Sequence, residues 1–156
     1  MSSIVAVRRM LGAAFLLTAL ALPASAAQIE LKSAWMRPAA AGSDARAYVD
    51  IVSDTPLRLT GASTPLARKV EIVVVQNTDG TDPGKVVKSL PVTPGTPTRL
   101  AYKGNHLRLV GVREDLKNGR SLPVTLQFKD PSGKRYNAQA DVLVRGLLLP
   151  RGLPGT

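Results

Sequence analysis

Apolar residues in this chain recur on a two-residue beat. Leu57-Arg58-Leu59-Thr60 alternates cleanly, and residues 46–52 alternate in part. Residues 70–75 are a β-branched run, which predicts a central strand buried on both faces. Residues 85–90 and 98–102 are weaker strand candidates, and residues 106–112 alternate through their first half. Residues 122–128 and 138–144 flank Asp130-Pro131-Ser132-Gly133, a turn sequence, and so predict a hairpin. Further breaks fall at Asp54-Thr55-Pro56, Asn77-Thr78-Asp79-Gly80, Thr93-Pro94-Gly95, Lys103-Gly104-Asn105 and Lys117-Asn118-Gly119. No stretch carries a helical apolar period and no internal repeat is visible. Many short strands with regular turns predict a single all-β domain, a sandwich.

The N-terminus reads differently. Arg8 and Arg9 precede an apolar run over residues 10–22, which Pro23 and then Ala24-Ser25-Ala26 follow. Basic, apolar and small-residue regions in that order predict a secretory signal over residues 1–26. The run is shorter than the roughly 20 residues of a membrane-spanning helix, so no integral membrane segment is expected once the signal is cleaved. The arginine pair hints at twin-arginine export, but Val7 and Gly12 fit that motif poorly. Residues 27–146 form the predicted domain, and residues 147–156 an irregular tail.

Composition narrows the chemistry. The chain has no cysteine, which excludes disulfides, thiol catalysis, a blue-copper centre and a lipid anchor on cysteine. Removing residues 1–26 takes away two arginines and lowers the formal charge from +10 to +8. The basic residues are scattered, as on a solvated surface. Few aromatics, an export signal and the lack of any known motif argue against nucleic acid. A single histidine restricts any Ser-His-Asp triad to His106, and no G-x-S-x-G elbow, P-loop or dinucleotide fingerprint is present. The chain is not expected to be an enzyme.

Six phrases in order carry a family resemblance. They are Ala34-Trp35-Met36-Arg37-Pro38, Ala47-Tyr48-Val49-Asp50-Ile51, residues 59–67 (LTGASTPLA), Val70-Glu71-Ile72, residues 104–111 (GNHLRLVG), and Leu116-Lys117-Asn118-Gly119 leading into residues 124–128. From about residue 34 to 144 the chain resembles the periplasmic copper chaperones called PCu(A)C. The resemblance implies an exported, cupredoxin-like Greek-key β-sandwich in the periplasm. It also implies copper as cofactor, and delivery of copper to the cytochrome c oxidase copper centre. The implied partners are copper-site assembly proteins or an oxidase subunit.

The family's ligands are two histidines and two methionines. Val73 stands at the first histidine position, and residues 84–86, where a methionine is expected, contain none. His106 matches the second histidine, and Arg108 replaces the second methionine. His106 is therefore the only candidate metal ligand retained. Residues i and i+2 of a strand share a face, so Arg108 sets a permanent cation beside His106 and has no lone pair to give. Copper binding by family resemblance thus stands against a metal-free protein-binding module on the same scaffold.

Other candidates read as structure. His106 without soft partners reads as a surface or loop-edge histidine. Met36 reads as core filling, Trp35 as a packed anchor, and Arg37-Pro38 as a strand-ending turn. Arg108 with His106 could form a small anion site, the plainer reading being a solvated arginine. Asp79 and Asp82 lack the oxygen spacing of a calcium loop and read as a turn.

Overall fold

The computed structural model of the chain describes residues 26–146; the expected signal and tail lie outside them, apart from Ala26. Ten strands run in chain order: β1 Ile29–Met36, β2 Ala45–Ser53, β3 Leu57–Ser63, β4 Ala67–Val74, β5 Lys85–Val87, β6 Leu90–Val92, β7 Thr98–Leu100, β8 His106–Val112, β9 Ser121–Lys129 and β10 Arg135–Val144. Among the described residues there is no helix.

The hydrogen-bonded order β4-β8-β2-β1-β10-β9-β3 returns to β4 through the pairing of Ala62 with Val70. Seven strands thus close into a barrel, so the two faces of the expected sandwich are one continuous ring. Closure removes the open edges that would otherwise invite pairing with other chains. The β1–β10 pairing is parallel, and the other pairs are antiparallel. Short β5, β6 and β7 attach outside the ring, on β4, β3 and β2.

Period-two patterning fills the interior. On β9, Leu122, Val124, Leu126 and Phe128 are all buried, while Ser121, Gln127 and Lys129 face water. Ile51, Leu59, Leu100, Leu107 and Leu109 meet them from other strands. Burying one such side chain stabilises by about 1.5–3 kcal/mol. The hairpin at Asp130 forms as expected, with one Asp130 carboxylate oxygen accepting from Ser132 N and Lys134 N, each at 2.9 Å.

Three local expectations change. The first strand, β1, carries little pattern because its register shifts between Lys32 and Trp35, with Ser33 at φ 54°. The candidate strand over residues 85–90 is two strands, β5 on β4 and β6 on β3. Pro91, which cannot donate to a ladder, sits in the edge strand β6, where a proline is tolerated. The β-branched run 70–75 is fully buried only at Ile72 and Val73; Val70, Val74 and Val75 are half-buried.

A candidate site where four positions meet

β8 opens with His106, and Leu107 and Leu109 point into the core. Alternation therefore turns His106 and Arg108 outward. Across β8 and β4, His106 faces Val73, and across β4 and β5, Val73 faces Val86. One step along, Arg46 of β2 faces Arg108, which faces Glu71 of β4. Positions 73, 86, 106 and 108 thus form one patch on the outer face.

His106 is not a surface residue. Only 3 % of it is exposed, a correction to the loop-edge expectation. Its Nδ1–H donates to the Gly104 carbonyl at 2.9 Å, the carbonyl being able only to accept. That bond leaves the lone pair on Nε2. Burial pushes the imidazole pKa down, and the Arg46 and Arg108 charges push the same way, against the Gly104 bond. The net effect is an imidazole pKa below its usual value.

The next residue in the patch is covered as well. Val73 is 1 % exposed beneath the loop leading into β5. A Cβ on Gly84 would lie 2.5 Å from Val73 Cγ1, so the loop backbone rests directly on that valine. Asp82 fixes the loop by accepting from Gln76 N at 2.6 Å and Gly84 N at 2.8 Å. Asp79 accepts from the Thr81 hydroxyl at 2.6 Å and from Thr81 N at 2.7 Å. Both carboxylates are thus engaged by their own turn, and those bonds hold both pKa values below the usual carboxylate range. Asn105 Oδ1 accepts from Val75 N at 3.0 Å, tying the loop to the start of β8.

Arg108 is neither free nor paired with His106. Its Nε and Nη2 both donate to Glu71 Oε2, the Nε bond being 2.9 Å. Lys69 reaches the other oxygen of Glu71. These two cations hold the Glu71 carboxyl below its usual range, Lys69 first and Arg108 second. The Arg108–Glu71 ion pair is thus internal to the patch, and Arg108 is engaged there rather than in the anion site considered with His106. Nothing in the sequence pointed to Glu71 as the partner, because the two residues are 37 apart and meet only through the β4–β8 register.

Copper(I) wants soft sulfur and imidazole donors. The patch offers one imidazole nitrogen, two isopropyl groups and one guanidinium. Met36 adds nothing, because it is fully buried in the core cluster on the inner side of the barrel wall. Among the described residues no three His, Cys, Asp or Glu side chains cluster as a metal site. The residues present do not fit the four-donor copper site.

Beside the patch lies an aromatic row that sequence reasoning did not assemble. Trp35 and Tyr48 are cross-strand partners with ring centroids 4.7 Å apart, and Tyr48 meets Tyr102 edge-on at 6.2 Å. The Arg145 guanidinium sits 4.7 Å from the Trp35 ring centroid. Trp35 is thus a half-buried anchor rather than a ligand platform. Next to this row, a cleft of about 450 Å³ is lined by Arg37, Arg46, Tyr48 and Tyr102 among others.

Comparison with known proteins agrees with this picture. The model of the family described as "Putative lipoprotein LpqE-like" matches residues 29–142. A protein of Leifsonia xyli subsp. xyli (strain CTCB07), named "Putative lipoprotein Lxx21020", is 29 % identical over 108 residues, 67 % of this chain and 64 % of that protein. The chain therefore spans under two thirds of that relative's length. Among solved structures, the copper-bound PCuAC domain from PmoF2 superposes with a TM-score of 0.59 at 22 % identity, covering 75 % of this chain and 92 % of that one. Apo-DR1885 from Deinococcus radiodurans gives 0.52 at 27 % identity, covering 94 % and 95 %. Its copper(I) form gives 0.53 at 27 % identity and 83 % of each chain. The fold is that of the PCuAC cupredoxin-like domains.

Proposed function

This chain belongs to the LpqE-like family, and from that premise we propose that it is an exported, non-enzymatic binding module on the PCuAC scaffold. In this reading it works by contact with a partner protein rather than as a self-sufficient copper carrier. The observation that carries the reading is the patch itself, where Val73, Val86 and the Glu71-bound Arg108 stand around one buried imidazole. A donor set with one ligand and a fixed cation has no strong claim on copper(I). The scaffold's family role still suggests the kind of partner, a copper-site assembly protein or an oxidase subunit. Export rests on the N-terminal signal pattern and on the lipoprotein description of the family. This sequence has no cysteine to carry a lipid, so the periplasm is the proposed location.

A second reading has one observation in its favour. The Gly104 bond leaves Nε2 of His106 as the electron-pair donor, as in many metal-bound histidines. His106 would then complete a copper site shared with a partner's ligands. Its 3 % exposure opposes this.

The deciding experiment is a copper(I) competition titration of residues 27–156 against a chromophoric chelator, with His106→Ala as control. The expected result is no competition by either protein. Tight one-to-one binding that His106→Ala abolishes would overturn the metal-free reading in favour of the second.

A further inference from the structure

We propose that the cleft beside Tyr48 receives a carboxylate-bearing segment of a partner protein, clamped by Arg37 and Arg46. The inference deepens the binding-module reading and rests on it. Its starting point is a breach of local pairing rules. Arg46 and Arg108 stand directly opposite each other on β2 and β8, where like charges destabilise a sheet. Glu71 compensates Arg108, but among the described residues no carboxylate lies within 4 Å of Arg46 or Arg37. Departures from local rules of this kind are expected at functional or strained sites.

The surroundings of the two arginines suit an acidic ligand. Both line one cleft of about 450 Å³ with Tyr48 and Tyr102, within the range of small-ligand sites. Burial raises the Tyr48 phenol pKa overall, and the Arg46 and Arg37 charges both act on it in the opposite direction. Arginine forks and a phenol are the donor types by which carboxylates are held. The exposed ring of Tyr102 can take the apolar stem that carries the acid. Asp44, the one acid in the lining, is engaged by the Gly111 N–H at 3.0 Å.

The rim is built rather than loose. Gly42 N donates to Val112 O at 2.6 Å, Val112 N to Ser43 O at 2.9 Å, and Ala41 N to Asp115 Oδ1 at 2.9 Å. A preorganised rim lowers the ordering cost of binding. An acidic peptide is favoured over an anionic membrane because the two exposed arginines line one concave cleft together with Tyr48, which is buried at 2 % exposure. Membrane binding scales with the apolar area buried among the lipids, and of the cleft's side chains Tyr102 alone is a large exposed hydrophobic.

The test uses Trp35, the chain's single tryptophan, whose ring packs at a tilt against that of the cleft-lining Tyr48. Its fluorescence is followed while residues 27–156 are titrated with an acetylated hexaglutamate amide, with inorganic phosphate, and with phosphatidylglycerol vesicles. The same titrations are run on Arg46→Gln, Arg37→Gln and the charge-matched control Arg135→Gln, which removes an exposed arginine at the far end of β10. The peptide is expected to bind, with each cleft substitution weakening it about tenfold or more, the worth of a charged hydrogen bond. The control should change it less than about twofold. Arg46→Gln should keep or raise the melting temperature, because it removes a like-charge contact; loss of binding with an intact fold separates recognition from structure. Equal losses in all three variants would reduce the effect to bulk charge and overturn the proposal. So would binding of vesicles without peptide, of phosphate without peptide, or of nothing. Those failures leave the metal-free reading standing if copper titration is also negative, whereas tight copper binding through His106 would remove that reading whatever the peptide does.

Discussion

Gly84→Ala should destabilise the protein far more than an ordinary glycine substitution in a turn. Two costs meet there. Gly84 has φ +78°, and forcing an L-residue into the left-handed region costs about 1–2 kcal/mol. The new Cβ would lie 2.5 Å from Val73 Cγ1, 3.0 Å from Val75 Cγ1 and 3.2 Å from the Val74 carbonyl oxygen. Carbon atoms prefer about 3.5–4.0 Å, so the loop must lift by roughly an ångström from a buried valine, and overpacking of this kind costs about 1–3 kcal/mol. The sum is about 2–5 kcal/mol, a large share of a typical stability of about 5–15 kcal/mol. Gly119 isolates the backbone part: its φ is +87° and nothing lies within 4 Å of its would-be Cβ. The assay is urea denaturation followed by Trp35 fluorescence, on Gly84→Ala, Gly119→Ala, Val73→Ala and the Gly84→Ala/Val73→Ala pair. Gly84→Ala should cost at least about 1 kcal/mol more than Gly119→Ala, and the pair should cost less than its two members together, because trimming Val73 removes the worst contact. Equal costs at Gly84 and Gly119, with additive behaviour of the pair, would refute the idea that the loop seals position 73. The same seal explains why a histidine placed at 73 would first have to displace the loop.

Two more outcomes follow from the charges of the patch. The folded pKa of His106 is below its unfolded value, so as pH falls through the unfolded histidine value of about 6.5 the unfolded chain takes up the proton first and stability declines until the folded pKa is reached; His106→Gln should flatten that decline in melting temperature, and an unchanged slope would show that burial does not depress the imidazole. Glu71→Gln leaves Arg108 facing Arg46 without the carboxylate that pairs it, and should cost on the order of 1 kcal/mol at low salt and less at high salt; since the Glu71 pKa is depressed, the wild type's advantage is full above the unfolded carboxyl pKa and fades as pH drops through the folded one, which parallel melts at pH 7 and pH 3 would check.

Much of the molecule follows from local chemistry. Alternation in β9, and in β10 from Ala138 on, is written in residues 122–128 and 138–144, because a strand with one face inward needs period two. The turn at Asp130 is equally local: its carboxylate caps its own backbone. The absence of cysteine and the isolation of His106 are plain in the composition. So is the replacement of donors by Val73 and Arg108 once the family phrases are aligned. β1 is hidden because its register slips at Ser33, which breaks the alternation after four residues.

What tertiary structure decided is which residues became neighbours. The barrel's closure depends on the Ala62–Val70 pairing, which no local pattern encodes. The β4–β8 register sets Glu71 against Arg108 and Val73 against His106, converting a solvated arginine into an internal ion pair. The loop on Gly84 and the residues around β8 remove Val73 and His106 from water, an effect of packing from three separate stretches of chain. Sequence determines what each residue can donate, accept or bury. Burial, register and charge balance belong to pairs and clusters drawn from distant segments, so only the folded barrel could settle that this histidine is covered and its pKa pushed down, and that Arg46 is left without an acid.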